Sequence, residues 1–180
     1  MMIYASMVEL VDTRDLKSLG LSRPGSSPGA RTNRFFAYLR KLAIENEGVQ
    51  GRFKLAAAVV YKKYVIATGV NSYKTHPIMN GEGYRKGQVF LHAEMDAIRN
   101  ALKLIDIEQL AQCDLYVVRV KRPHNKSNEW IYGLAKPCPG CTKAIANFGI
   151  KNIFYSENED DLELQNYASL STRGSGNFLV

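Results

Sequence analysis

The sequence predicts an α/β protein in which helices cover both faces of a single mixed sheet. Two observations support this class. Helical and strand-like apolar patterns alternate in the order α-β-β-α-β-α-β, and alternation after an initial hairpin places helices against both sides of a sheet. The chain also has 180 residues, of which 46% are hydrophobic, which is enough for one globular core.

The first three elements follow from the period of their apolar residues. From Asn33 onward these residues recur at the spacing of an amphipathic helix, and Gly48 ends the pattern. Residues 53–61 and 64–70 are apolar runs of strand length. The lysine pair between them suits a turn, so the two strands are predicted to form a hairpin.

The later elements are predicted in the same way. A helix over 91–104 has Met95, Ile98 and Leu102 along one face. The remaining segments are a polar loop over 71–88, a strand over 114–120, a polar connection over 121–136 with a short strand at 129–132, a helix over 138–148, a strand over 150–155, and an acidic stretch over 157–163 that starts a helix or a loop.

One domain is predicted between two terminal segments. Residues 1–31 include a stretch rich in Ser, Gly, Pro and Arg that cannot bury much surface. We interpret them as a flexible extension, or as a segment that does not belong to the native protein. The domain is assigned to residues 32–168, and residues 169–180 are assigned to a C-terminal tail.

Charge and cysteine usage narrow the function classes. The net charge of +7 favours phosphate-bearing partners, although it could also serve solubility alone. No apolar run is long enough to cross a bilayer and no segment resembles a signal peptide, so we expect no membrane partner. Two of the three cysteines form a C-x-x-C, which favours metal or redox chemistry over a disulfide and suggests a reducing, cytoplasmic location.

Two short stretches predict a zinc site. His92 stands at the start of one predicted helix, and Cys138 and Cys141 stand at the start of another. Zinc prefers nitrogen and sulfur ligands in a tetrahedral shell, and a catalytic site keeps one position for water. A helix N-terminus favours thiolate over thiol, so both sulfurs could bind the metal. A C-x-x-C alone would more often be a structural zinc site or a redox pair.

Glu94 is the candidate proton carrier. A step of two residues on a helix places it about 200° round from His92, so we do not expect it to be a fourth ligand. At a helix N-terminus its side chain could instead face the substrate. A carboxylate beside a dry pocket has a raised pKa, which suits general acid and base catalysis.

This pattern resembles the zinc-dependent cytidine and deoxycytidylate deaminase superfamily, whose signature is H-x-E followed by P-C-x-x-C. The matching residues are His92-Ala93-Glu94 and Pro137-Cys138-Pro139-Gly140-Cys141, and the resemblance runs from about residue 50 to 156. It implies a three-layer αβα cytidine-deaminase-like sandwich with a mixed sheet of about five strands. It also implies Zn²⁺ held by His92, Cys138 and Cys141, with Glu94 as the acid and base, and a homo-oligomer.

The resemblance further implies substrate contacts from Asn71 and Tyr155 and from the motif residues Ala93 and Pro137. Asn71 could instead simply cap a turn. Lys74 and His76, in the loop that follows, could contact a phosphate, but a solvated loop is an equal alternative.

Three functions stay open at this point. The first is deamination of a free cytosine nucleotide or nucleoside, with deoxycytidylate preferred because the basic loop suits a phosphate. The second is deamination of a base in RNA or single-stranded DNA, which the aromatic and basic residues of 121–136 permit. The third is a zinc-stabilised binding module, against which the intact Glu94 argues.

Overall fold

A mixed sheet organises the part of the chain that the computed structural model describes, namely residues 28–74, 76–79, 90–124, 127–158 and 167–171. The helices are α1 (Pro28–Glu45), α2 (Ala93–Ala101), α3 (Ile107–Leu110) and α4 (Pro139–Asn147), with a 3₁₀ turn at Pro77–Met79. The strands are β1 (Phe53–Tyr61), β2 (Tyr64–Val70), β3 (Asp114–Lys121), β4 (Ile131–Gly133), β5 (Asn152–Ser156) and β6 (Tyr167–Ser171).

The strands lie in the order β2-β1-β3-β5-β6, and the short β4 pairs with the C-terminal end of β3. Strands β3 and β5 are parallel, and the other pairs are antiparallel. A parallel pair needs a crossover connection, which here contains β4 and α4. The predicted mixed sheet of about five strands is therefore confirmed.

The two faces of the sheet bury separate cores. Ala57 and Val59 of β1 pack in one core with residues of α2 and α4, whereas Ala58 and Val60 pack in the other with residues of α1. Successive side chains of a strand point to opposite faces, so the apolar run of β1 supplies both cores. Helix α1 thus covers one face and α2 and α4 cover the other, which confirms the three-layer αβα class.

Helix α1 packs as its apolar spacing predicts. Phe35, Phe36 and Leu39 are buried, and both phenylalanine rings contact the ring of Tyr116 in β3. The helix begins at Pro28, before the predicted start at Asn33. Residues 1–27 and 172–180 lie outside the described residues, so the assignment of both terminal segments stays a prediction.

Several local predictions differ from the structure. Leu102 is 38% exposed, because helix α2 ends at Ala101 and Leu102 is its C-cap. The short strand in the connection is displaced to 131–133.

Helix α3 was not predicted, although Asp106 and Gln109 form a capping box at its start. Strand β6 was not predicted either, and it crosses the predicted limit at residue 168. Residues 159–166, in the acidic stretch, lie outside the described part.

The described helices include none with the length and hydropathy that a membrane span requires.

Candidate active site

The two predicted motifs meet at one point of the fold, although 49 residues separate His92 from Cys141. Nδ1 of His92 lies 3.2 Å from Sγ of Cys141 and 3.7 Å from Sγ of Cys138. The ligand atoms of the three residues all lie within 4.8 Å of one another. The structure therefore brings together the three side chains that the motifs nominate as metal ligands.

The N-terminus of α4 prepares the sulfur ligands. Cys138 is the N-cap of this helix, and its Sγ accepts a hydrogen bond from the backbone N–H of Cys141 at 3.4 Å. Hydrogen bonding from the Cys141 side chain, with smaller contributions from His92, lowers the pKa of Cys138 to about 4 against the opposing effect of burial. The pKa of His92 is raised, chiefly by its hydrogen bond with Cys138. A thiolate at this helix end is the form that binds a metal.

The donor set fits zinc. One imidazole nitrogen and two thiolate sulfurs are ligands that zinc prefers, and the two thiolates balance its charge. Three protein ligands leave a fourth tetrahedral position for water or substrate, which is the arrangement of catalytic rather than structural zinc sites.

Glu94 lies buried next to this cluster. The residue is 3% exposed, and its Oε2 has no hydrogen-bond partner among the described residues. Burial raises the pKa of this carboxyl group, against smaller opposing contributions that include His92 and Cys141. His92 itself has an extended backbone, with φ −76° and ψ 146°, so the helical angle predicted between it and Glu94 does not apply. A buried carboxyl group with one uncommitted oxygen is suited to carry a proton.

Three residues that the sequence analysis did not select hold α2 against β2. Gly69 lets the elements touch, because a Cβ there would lie 2.2 Å from the backbone nitrogen of Ala97. The carboxylate of Asp96 accepts a hydrogen bond from the N–H of Val70 at 3.1 Å. Asn100 donates to the carbonyl of Thr68 at 2.9 Å. Together they set the position of the helix start, where His92 and Glu94 lie.

Ser156 fixes the segment that leads to the cysteines. Its buried hydroxyl donates to the carbonyl of Gly133 at 2.8 Å and accepts from the N–H of Arg119 at 3.1 Å. Its carbonyl accepts from the N–H of Ala135 at 2.8 Å. This serine ties the approach to Pro137 and Cys138 to the sheet, and no sequence motif marks it.

Asn71 lies opposite His92 across a short bridge. Ser72 and Leu91 exchange two backbone hydrogen bonds of 3.0 Å, which makes their neighbours Asn71 and His92 adjacent. Oδ1 of Asn71 accepts from the N–H of Leu55 at 2.8 Å and from Asn46 at 3.3 Å. Its oxygen therefore has a structural role, while its amide nitrogen has no partner among the described residues.

The other predicted contact residues divide into two groups. Ala93, Pro137 and Tyr155 are buried, and Ala93 and Tyr155 belong to the same core as Cys141. Lys74 is exposed and His76 half-buried, and Nδ1 of His76 accepts from the N–H of Ile78 at 3.2 Å. The structure does not bring these two residues into contact with the metal cluster, and residues 75 and 80–89 of their loop lie outside its described part.

Comparison with known proteins places this geometry in a family. Residues 31–157 match the model of the cytidine and deoxycytidylate deaminase zinc-binding region. Among solved structures, the apo dCMP deaminase of cyanophage S-TIM5 is 20% identical with a TM-score of 0.47, and the match covers 76% of this chain and 89% of that chain. The same phage enzyme in complex with dCMP and dUMP is 19% identical with a TM-score of 0.48, over 74% and 85%. A comparison with curated proteins gave no match.

Proposed function

Because the chain belongs to the cytidine and deoxycytidylate deaminase family, we propose that it deaminates a cytosine nucleotide, with deoxycytidylate as the preferred substrate. The protein is a zinc-dependent hydrolytic deaminase. In the proposed reaction, water adds to C4 of the base, the C4–N bond to the amino group breaks, and dCMP becomes dUMP and ammonia.

One observation carries the proposal. The ligand atoms of His92, Cys138 and Cys141 converge within 4.8 Å at a point beside the buried carboxyl group of Glu94. A structural zinc site needs only the ligands and would gain nothing from a buried acid with an uncommitted oxygen, which costs free energy to desolvate. A hydrolytic site needs both.

In the proposed mechanism, His92, Cys138 and Cys141 would hold the metal, and the metal would supply a nucleophilic water at neutral pH when bound. Glu94 would accept a proton from the attacking water at its free Oε2. It would then deliver this proton to the ring nitrogen of the base. A second proton, from the hydroxyl group now on C4, would pass through the same carboxyl group to the amino group, so that the C4–N bond breaks and ammonia leaves. The burial that raises its pKa makes the protonated state of Glu94 accessible, as both halves of this transfer require.

We also propose substrate contacts from six residues. Asn71, adjacent to His92 across the bridge, has an amide nitrogen available to donate to the substrate. Ala93, Pro137 and Tyr155 would bound the base, since the first two flank metal ligands and Tyr155 belongs to the core that contains Ala93 and Cys141. Lys74 and His76 would meet the phosphate, which the exposure of Lys74 permits.

A substrate panel tests the proposal. Zinc-loaded protein is incubated with cytidine, deoxycytidine, their mono- and triphosphates, adenosine and short single-stranded oligonucleotides, and the mass change of each base is measured. We expect turnover of deoxycytidylate with the highest kcat/KM. Turnover of oligonucleotides alone would favour the base-editing alternative, and a preference for deoxycytidine or cytidine would favour a nucleoside deaminase.

The phosphate contacts are tested separately. Lys74→Ala and His76→Ala should raise KM for deoxycytidylate by about tenfold and leave kcat/KM for deoxycytidine unchanged, because each removes a charge-assisted contact to the phosphate. Lys63→Ala, which removes an exposed charge in the turn between β1 and β2, is the control. Equal effects on nucleotide and nucleoside would contradict the assignment.

Self-association and a cytoplasmic location are also part of the proposal. The first rests on the family resemblance and the second on the cysteine usage. Light scattering of the zinc-loaded protein tests the first, and a monomer at micromolar concentration would contradict it.

A further inference from the structure

A cavity lies on the opposite face of the sheet from the zinc cluster. It has a volume of about 690 Å³, and its lining includes Arg52, Lys54, Arg122 and Trp130. Lys54 alternates with Leu55 along β1, and Trp130 packs with the core that α1 covers. The cavity therefore shares no residue with the site described above.

The three cations of this cavity are not neutralised within the described part of the chain. Arg52 donates to the carbonyl of Pro123 at 2.9 Å, and Lys54 donates to the carbonyl of Ile44 at 2.8 Å. These bonds go to neutral oxygens, so they orient the side chains but leave their charge in place. Glu47 also lines the cavity, but it is exposed and forms no ion pair with them.

Arg122 also has a hydrogen-bond donor without a partner in the described part of the chain. Its Nε is buried and has no hydrogen-bond partner among the described residues. The Nε atoms of Arg34, Arg99 and Arg119 are in the same state, but none of those three residues lines this cavity. A buried N–H without a partner destabilises the protein, and an acceptor bound in the cavity would remove this cost.

Trp130 indicates what kind of ligand the cavity suits. The guanidinium of Arg122 lies 4.7 Å from the centre of the indole ring, and the ammonium of Lys54 lies 5.3 Å from it. These cation–π contacts orient both cations beside the cavity. Because the two cations cover the indole ring, a base cannot readily stack on it. The volume is also that of a small-molecule pocket rather than of an extended groove.

We propose that this cavity binds a di- or triphosphate group, either free or as part of a phosphate ester. Three cations can neutralise several phosphate charges, and the guanidinium groups of Arg52 and Arg122 can each bind phosphate oxygens in a bidentate manner. This site goes beyond the deamination reaction, because it lies on the other face of the sheet and uses none of its residues.

Tryptophan fluorescence tests the proposal directly, because Trp130 is the single tryptophan of the chain. Zinc-loaded full-length protein is titrated with inorganic tripolyphosphate, and calorimetry gives the affinity independently. We expect a saturable fluorescence change. Arg122→Gln and Arg52→Gln should each lower the affinity for tripolyphosphate about tenfold or more. Lys63→Gln, at the other end of β1, removes the same charge and should bind like the parent protein. Glu94→Gln should also bind normally, which separates this result from deamination.

Several outcomes would overturn the proposal. The first is that neither fluorescence nor calorimetry shows a saturable change. The second is that both arginine variants bind tripolyphosphate normally while their circular dichroism is unchanged. The third is that Lys63→Gln lowers the affinity as much as the arginine variants do. Binding of a single-stranded oligonucleotide that tripolyphosphate does not displace would assign the surface to nucleic acid instead. Binding of ATP with the same dependence on Arg122 supports the proposal and identifies an ester as the source, whereas binding of tripolyphosphate alone identifies the free ion.

Discussion

The carboxylate of Asp96 accepts a hydrogen bond from the backbone N–H of Val70, and the two atoms are 3.1 Å apart. This contact joins the helix that begins beside His92 to the strand that ends beside Asn71. Oδ1 of Asp96 meanwhile pairs with Arg99 at 2.5 Å. One side chain therefore links a proposed metal ligand and a proposed substrate contact, although neither motif contains it.

Asp96 is accordingly predicted to be a positioning residue. Asp96→Ala leaves the N–H of Val70 without its partner, which should lower the free energy of unfolding by about 1–3 kcal/mol. It should also lower kcat, because the start of α2, where His92 and Glu94 lie, loses its hydrogen bond to β2. Asp96→Asn can still accept from Val70 through its amide oxygen, so it should recover most of both. Urea unfolding and steady-state kinetics measure the two effects. If the asparagine variant were as impaired as the alanine variant, this contact would not be the reason.

Glu94→Gln is predicted to lose turnover by a factor of about 10²–10⁴ and to keep its zinc, because the amide retains the shape of the side chain but cannot carry the proton. Ammonia release and metal analysis of the same sample measure these properties. Glu108→Gln in α3 removes an exposed carboxylate and should behave like the parent protein. Full turnover by the Glu94→Gln variant would remove the proposed role of Glu94, and loss of zinc from that variant would place Glu94 in the metal shell.

Zinc removal is predicted to make Cys138 reactive while Cys113 stays unreactive. Without the metal, Cys138 is a thiolate at neutral pH, because its pKa is about 4. Burial raises the pKa of Cys113 to about 11, so it stays a thiol and alkylates appreciably only as the pH approaches that value or when the protein unfolds. Alkylation followed by peptide mass spectrometry should label Cys138 after chelation and should leave it unlabelled in the zinc-loaded protein. Fast labelling of Cys113 at neutral pH, or no protection by zinc, would contradict this.

Local patterns in the sequence were sufficient for much of the fold and for the centre of the site. The limits of β1 and β2 agree with their apolar runs, because a strand buried on both faces reads as a continuous apolar segment. His92, Cys138 and Cys141 were selected because metal ligation restricts both residue type and spacing. The strand limits and the metal ligands could be predicted because each depends on residues that are close together in the sequence.

The residues that were missed depend on contacts between distant segments. Strand β6 is defined by its pairing with β5, and no hairpin signal joins the two. Ser156 and Asp96 look like ordinary polar residues until the fold supplies Gly133 and Val70 as their partners. Lys74 and His76 were selected by residue type alone, and their assignment to a phosphate stays a prediction.

Gly69 should tolerate no side chain, because the backbone of α2 packs directly against it. A Cβ at this position would lie 2.2 Å from the backbone nitrogen of Ala97 and 2.7 Å from the carbonyl oxygen of Ala93, and backbone atoms of a packed helix cannot move aside as a side chain can. Gly69→Ala should therefore destabilise the protein by about 3 kcal/mol or more and displace the start of α2, so that zinc affinity falls as well.

Gly51→Ala is the matched control for this last prediction, because a Cβ there meets only Tyr73 at 3.7 Å and Val49 at 3.9 Å, which are ordinary contacts. It should change the free energy of unfolding by less than about 1 kcal/mol. The change is stabilising if its main effect is to lower the conformational entropy of the unfolded chain. Urea midpoints and zinc titrations of both variants distinguish the cases. Equal stability of the two alanine variants would mean that α2 does not pack on β2 as closely as the structure places it, and the position of Glu94 would then need revision.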